Sequence, residues 1–254
     1  MAMNDHFPWL RACLWAAVFS PWLMEAAPFA LPADCRQLIT GRAPDWNSSE
    51  ATLQRWERAP GRPWSPVGSP VPSRLGKNGL AWGRGLHPTA VGGLKKIEGD
   101  GRAPAGVFAI GGAYGYAPEI ARRPDLPYHQ VTPSDLWVED TSSPDYNRHL
   151  TLPGGREPST EWEKAQQMRQ GDPAHSLKLF IAHNASPGAV PGAGSAIFFH
   201  IWREGGAKAS FGCTVLDESA LKAWVAWVDP SRRPLYVLLP EDTYQYYRGP
   251  WGLP

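Results

Sequence analysis

Three cysteines in 254 residues are too few for a disulfide framework, so a small fold held together by bridges is excluded. Charge of one sign is missing as well. With 25 basic against 24 acidic side chains and a formal charge of +1, no long-range field draws in a nucleic-acid backbone or an anionic membrane. Beyond the first thirty residues there is no apolar run near the ~20 residues that span a bilayer, and no internal repeat. What is abundant is 27 prolines, 26 glycines and 13 tryptophans, a composition of turns and large rings that suits a loop-rich β protein better than a helical bundle. The 43% hydrophobic content is enough for one core.

The opening segment differs from the rest. "CLWAAVFSPWLM", Cys13 to Met24, follows Arg11 and precedes the small-residue stretch "EAAPFALPA". This predicts an export signal over residues 1–30 with cleavage near Ala27, Ala30 or Ala33; an uncleaved anchor helix is the alternative. Asp34 stands where a lipidation site needs a small neutral residue, which argues against Cys35 as a lipid anchor. The remaining chain, residues 36–254, is expected to be one soluble domain, monomeric and free of stable membrane insertion, in the periplasm or at the cell wall. Loss of Cys13 leaves Cys35 and Cys213, which form either one disulfide or a working thiol at Cys213.

Short apolar runs bounded by Gly, Pro or Asn predict a mainly β fold with a few helices. Thr52 to Arg58 alternates and is followed by the turn "APGRP" and by Trp64 to Val71, the pattern of a hairpin. "GVFAIGG", "SLKLFIAHN", "SAIFFHIW" and "LYVLLP" read as strands. Two helices are predicted. Thr160 and Glu163 make a capping box before "EKAQQMR", and Asp217 caps "ESALKAWVAWV", with Leu221, Trp224, Val225 and Val228 on one face and Asp229-Pro230 as the stop.

The stretch "SAIFFHIWREGGAKASFGCTVL" places His200 at the end of a strand and Cys213 thirteen residues later, behind Gly212. If the intervening excursion folds back as a hairpin, imidazole and thiol meet. A free thiol, with a pKa of about 8.5, needs a nearby imidazole or oriented dipoles to lower it. Gly212 permits close approach of a substrate, and N–H groups at Gly212 and Cys213 are placed to meet an oxyanion. From these residues alone, a buried structural histidine and an inert core thiol are an equal reading.

The same stretch resembles the active-site motif of the YkuD-type L,D-transpeptidases, a histidine followed later by serine or threonine, one residue, glycine and the nucleophilic cysteine. "KKIEGDGRAPAGVFAIGGAYGY", Lys95 to Tyr116, is similar to the family's upstream signature. The resemblance implies an L,D-transpeptidase-like β-sandwich with Cys213 as nucleophile and His200 as its base. Ser210 would then hydrogen-bond within the site, and Gly212 and Cys213 would shape the oxyanion hole. The implied substrate is a peptidoglycan stem peptide, attacked at its diamino-acid carbonyl to give a thioester, with no cofactor; the sequence shows no metal-ligand spacing or phosphate loop. Three positions depart from the family: Ile201 for glycine, Phe211 for histidine, and Val215 for an arginine that suits a substrate carboxylate. Arg203 or Lys208 is expected to supply that charge, or both are solvated loop residues. Phe211, Asn184 with His183, and Tyr146 with Asn147 are further candidates to line the cleft, or else plain loop residues. A thiol carboxypeptidase on the same peptides and a non-catalytic wall-binding module remain as alternatives.

Overall fold

The computed structural model describes residues 29–88 and 93–254, so the predicted export signal lies, up to residue 28, outside the described residues. Twelve strands follow one another: β1 (Gln37–Ala43), β2 (Glu50–Glu57), β3 (Ser65–Arg74), β4 (Leu80–Trp82), β5 (Ala103–Gly115), β6 (Tyr128–Gln130), β7 (Asp135–Trp137), β8 (His149–Thr151), β9 (Leu177–Ile181), β10 (Phe198–Ile201), β11 (Thr214–Leu216) and β12 (Leu235–Pro240). The order β12-β1-β2-β3-β11-β10-β9-β5 returns to its start, because β5 also pairs antiparallel with β12. The expected single, mainly β domain is present, and its two faces belong to one sheet curled shut, which leaves the ring without open edges. β7 and β8 form a separate two-stranded sheet.

The predicted hairpin is β2–β3, antiparallel with a register shift between Leu53 and Arg55. Strands β1, β5 and β12 are buried over most of their length, and β5 and β12 accordingly read as near-continuous apolar runs in place of alternation. Their side chains join one core with α2 (Glu218–Trp227) and α3 (Glu241–Trp251), which contribute Leu221, Trp224, Tyr244 and Trp251. Asp217 caps α2 through the N–H groups of Ser219 and Ala220, as its sequence predicts. The Thr160–Glu163 capping box forms too, but α1 runs only Glu161–Ala165 and not through "QQMR". Tertiary pairing ends it: Gln166 O accepts from Trp137 N–H and Met168 N–H donates to Asp135 O, which pulls the chain out of helix. Helix α3 was not anticipated, since its Arg248-Gly249-Pro250 end reads as a breaker. Pro250 falls in its last turn and Gly252, in the left-handed region, closes it.

The excursion between His200 and Cys213 does not form a hairpin. Strand β11 lies parallel to β10, with Phe199 opposite Thr214 and His200 opposite Val215, while β9 runs antiparallel on the other side. Twelve intervening residues are enough for a crossover, and they spend it on a tight turn at Glu204–Gly206. Gly206 is required there: φ is +88° and a Cβ would lie 2.8 Å from the Trp202 ring.

Candidate active site

Cys213 extends β11 by one residue toward its N-terminus, which sets it beside Phe198. Phe198 N–H points at Sγ from 3.4 Å, and the thiol in turn donates to Ala196 O at 3.4 Å. Register alternation puts Phe198, His200, Cys213 and Val215 on the same face, so thiol and imidazole are diagonal neighbours across two parallel strands. Both line one cavity of about 70 Å³, together with Lys178, His175, Glu139 and Trp137. A larger concavity, about 860 Å³, lies over β1–β3 and the Trp202–Gly206 turn and does not include the thiol. Chemistry, not size, singles out the small cavity.

The turn before Cys213 is built by Ser210. Its hydroxyl donates to Cys213 O at 2.6 Å and accepts from Gly212 N–H at 3.0 Å, and its backbone bridges to Leu75 and Lys77. Gly212 has φ +149°, and a Cβ there would lie 3.1 Å from Arg102 O, so the upstream signature packs directly behind the cysteine turn. One expectation changes: Gly212 N–H is already spent on Ser210. Among the described residues no acceptor takes up Cys213 N–H, which leaves that donor unpaired next to the thiol.

His200 is buried, and its Nδ1 lies 2.9 Å from Ile201 O. A carbonyl only accepts, so Nδ1 carries the hydrogen and Nε2 keeps its lone pair. Burial pushes the His200 pKa down to about 3, assisted by nearby His175, and the ring is neutral at pH 7. The two rings lie 4.8 Å apart. His175 is itself held by Asp172 (Nδ1 to Oδ1, 2.7 Å), with burial and then Lys178 lowering it to about 4. The thiol does not meet the expectation of a depressed pKa. Burial pushes Cys213 up to about 11, against the Phe198 N–H and the Lys178 charge, because a neutral imidazole offers a thiolate no cation.

The cation in this cavity is Lys178, which the sequence reading missed. It is buried, donates to Met168 O at 3.1 Å, and sits opposite His200 in the β9–β10 register. Burial pulls it down to about 8, opposed chiefly by Cys213. The signal was present, a lone charge inside the apolar run "SLKLFI". Glu139 was missed too: one side is exposed, the other lines the cavity, and the protein packed around its carboxyl pushes it up to about 7, with Glu98 adding to the rise.

The remaining candidates are placed elsewhere. Arg203 is bound to Asp172 (2.6 and 3.1 Å) and Lys208 to Glu204, so neither is a free charge facing the thiol. Asn184 is buried with φ +47°, its amide donating to Val190 O and Gly194 O and accepting from Val190 N–H. His183 is buried with Nδ1 accepting from Arg84 N–H and Nε2 donating to Ala193 O. Tyr146 donates to Glu98, and Asn147 Oδ1 accepts from both Trp137 Nε1 and Ala196 N–H, so this pair supports the cavity wall from behind. Phe211 is 75% exposed, with Lys77 Nζ 4.6 Å above its ring. Cys35 is buried and free, donating to Gln37 O, and Cys213 is free as well; the disulfide reading is set aside.

Fold and site together define a β-rich domain that presents a thiol and an imidazole on neighbouring parallel strands. A sequence model of the YkuD family, the L,D-transpeptidase catalytic domain, matches residues 75–237, and the chain belongs to that family. The match runs from just after β3 to the middle of β12, leaving β1, β2, β3 and α3 outside it. Neither a search of curated proteins nor one of solved structures returned a match.

Proposed function

We propose that this chain is an exported L,D-transpeptidase that acts on peptidoglycan stem peptides through a thioester on Cys213. The observation that carries the reading is that Cys213 and His200 line one cavity, His200 with its Nε2 unprotonated, and that Cys213 N–H is free of any acceptor among the described residues. In the reaction, Sγ bonds to the carbonyl carbon and its hydrogen passes to His200 Nε2. The oxyanion is met by Cys213 N–H, and on collapse the C–N bond breaks and His200⁺ gives the proton to the departing D-alanine amine. An amine from a second stem then attacks the thioester, His200 takes its proton, and the thiol is restored. A neutral thiol and imidazole in the free protein mean that the charge pair forms only as the bond forms, in a water-poor site where Lys178 favours the anion.

Lys178 is the natural replacement for the arginine that Val215 displaces. His200 has Val215 on one side and Lys178 on the other, so the cation stands on the opposite neighbouring strand, where it lines the thiol cavity. The domain begins before residue 36: Phe29 packs on Trp251 with ring centroids 5.2 Å apart, and Leu31 N–H donates to Trp251 O. Of the three cleavage points, processing at Ala27 preserves these contacts, and N-terminal sequencing of exported protein tests it.

The deciding experiment is mass analysis of muropeptides after incubation with purified protein and with the Cys213→Ala variant. Cross-linked dimers that require Cys213 support the transpeptidase; trimmed stems alone assign water as the acceptor and make it a carboxypeptidase. No Cys213-dependent change, together with no carbapenem adduct on Cys213 by intact mass, returns the chain to a wall-binding module.

A further inference from the structure

Away from the thiol cavity, three short strands bring two histidines onto one carboxylate. Asp135, at the start of β7, is fully buried. Its Oδ2 accepts from the N–H and Oγ1 of Thr132 at 2.7 and 2.8 Å, and Oδ1 accepts from Thr151 Oγ1 at 2.9 Å. Oδ1 also faces His129 Nε2 and His149 Nε2, each at 2.8 Å. The two imidazoles stand with centroids only 4.4 Å apart, and the three potential ligand atoms all lie within 4.8 Å of one another. Linear spacing hides this group. His129 comes from β6, Asp135 from β7 and His149 from β8, where it pairs with Trp137.

We propose that His129, Asp135 and His149 form a zinc site that pins the β7–β8 hairpin to the main sheet. Two imidazole nitrogens and one carboxylate oxygen are a donor set that suits Zn²⁺, with bonds of about 2.0–2.2 Å and ligand atoms therefore about 3.3 Å apart in a tetrahedron. The two 2.8 Å separations need to open by about half an ångström to admit it. Thr132 holds Oδ2, so the carboxylate is already aimed through Oδ1. Neither Nδ1 is engaged by another described residue, so each ring can carry its hydrogen there and offer Nε2 as a neutral ligand without net proton loss. His129 is 40% exposed along its side chain, which leaves the fourth position to water. The hairpin hydrogen-bonds in its own two-stranded sheet, yet it carries Trp137 and leads to Glu139, both walls of the thiol cavity. Tyr114 bridges the two places, meeting His149 at 5.6 Å and both Trp137 and Phe198 at about 6 Å. Zinc here would set the shape of the cavity wall without touching the reacting atoms.

The test uses the untagged chain, stripped with chelator, in wild-type and Cys213→Ala forms, so that binding at the thiol is told apart. After addition of Zn²⁺ and gel filtration, one zinc per chain should remain in both forms, and the melting midpoint should rise with zinc. Co²⁺ in the Cys213→Ala form should give the visible band of a tetrahedral site with no thiolate charge-transfer band. His149→Gln keeps an N–H for Asp135 while removing the imidazole ligand, so it should stay folded and lose at least tenfold in zinc affinity. The proposal is overturned if no zinc is retained and no midpoint shift occurs up to tens of micromolar Zn²⁺, or if retention vanishes with Cys213 and survives His149→Gln. None of these readouts depends on catalysis.

Discussion

His200 and His183 lie on neighbouring strands or their ends, are both buried, and are both pushed down to about 3 by burial. They are nonetheless opposite tautomers. His200 gives its Nδ1 hydrogen to Ile201 O and keeps a free lone pair on Nε2 in the cavity, whereas His183 accepts at Nδ1 from Arg84 N–H and donates from Nε2 to Ala193 O. One imidazole has a nitrogen to spare and the other has none. Burial and pKa do not separate an imidazole with a free lone pair from one whose nitrogens are both engaged; the account of each nitrogen's partner does.

The largest expected effect is at the group that gives His200 its role. Cys213→Ala should reduce turnover to background with an unchanged melting midpoint; measurable activity would remove the thiol from the reaction. His200→Ala should lower kcat/KM by roughly 10²–10⁴-fold while the fold persists. His183→Ala should invert that pattern. It leaves Ala193 O and Arg84 N–H without partners and should cost about 2–4 kcal/mol in urea unfolding, with kcat per folded molecule within about tenfold of wild type. If His183→Ala kills activity in a stably folded protein, the comparison fails.

Acid sharpens the contrast from the side the two residues share. Both histidines bind a proton near pH 6.5 when unfolded and only near 3 when folded, so between those values the unfolded state holds more protons and stability falls as pH falls. Each should contribute up to about 1.4 kcal/mol per pH unit in that window. His183→Gln should flatten the slope measured between pH 6.5 and 5. The smallest effect concerns Lys178. Lys178→Met removes the cavity cation, so the alkylation profile of Cys213 should move to higher pH, with the rate at pH 8 falling a few-fold; a profile that stays in place would assign no charge role to Lys178.

Much of the fold was legible because its signals are local. The β2–β3 hairpin, the apolar runs of β5, β9, β10 and β12, and the Asp217 cap need only neighbours in the chain. Helix α1 was read too long because its cap is local while its stop, a backbone bridge to β7, is not. The candidate site divides the same way. Ser210, Gly212 and Cys213 form one turn whose chemistry is written in four consecutive residues. Arg203, Asn184 and Tyr146 look available in a linear reading, yet each is bound to a partner distant in the chain or across its own loop: Asp172, Gly194 and Glu98.

By itself the sequence determined the class of fold and the family, and it singled out Cys213, His200 and the Ser210–Gly212 turn as the candidate site. Residue type, turn chemistry and two spaced motifs carry that much, since each acts over a few bonds or through a pattern that repeats. Only the tertiary structure decided that β10 and β11 run parallel, that the imidazole keeps Nε2 free, that Lys178 is the cavity cation, and that His129, Asp135 and His149 converge. These depend on strand register, where a shift of one residue turns every side chain to the opposite face, and on which hydrogen-bonding groups are already taken.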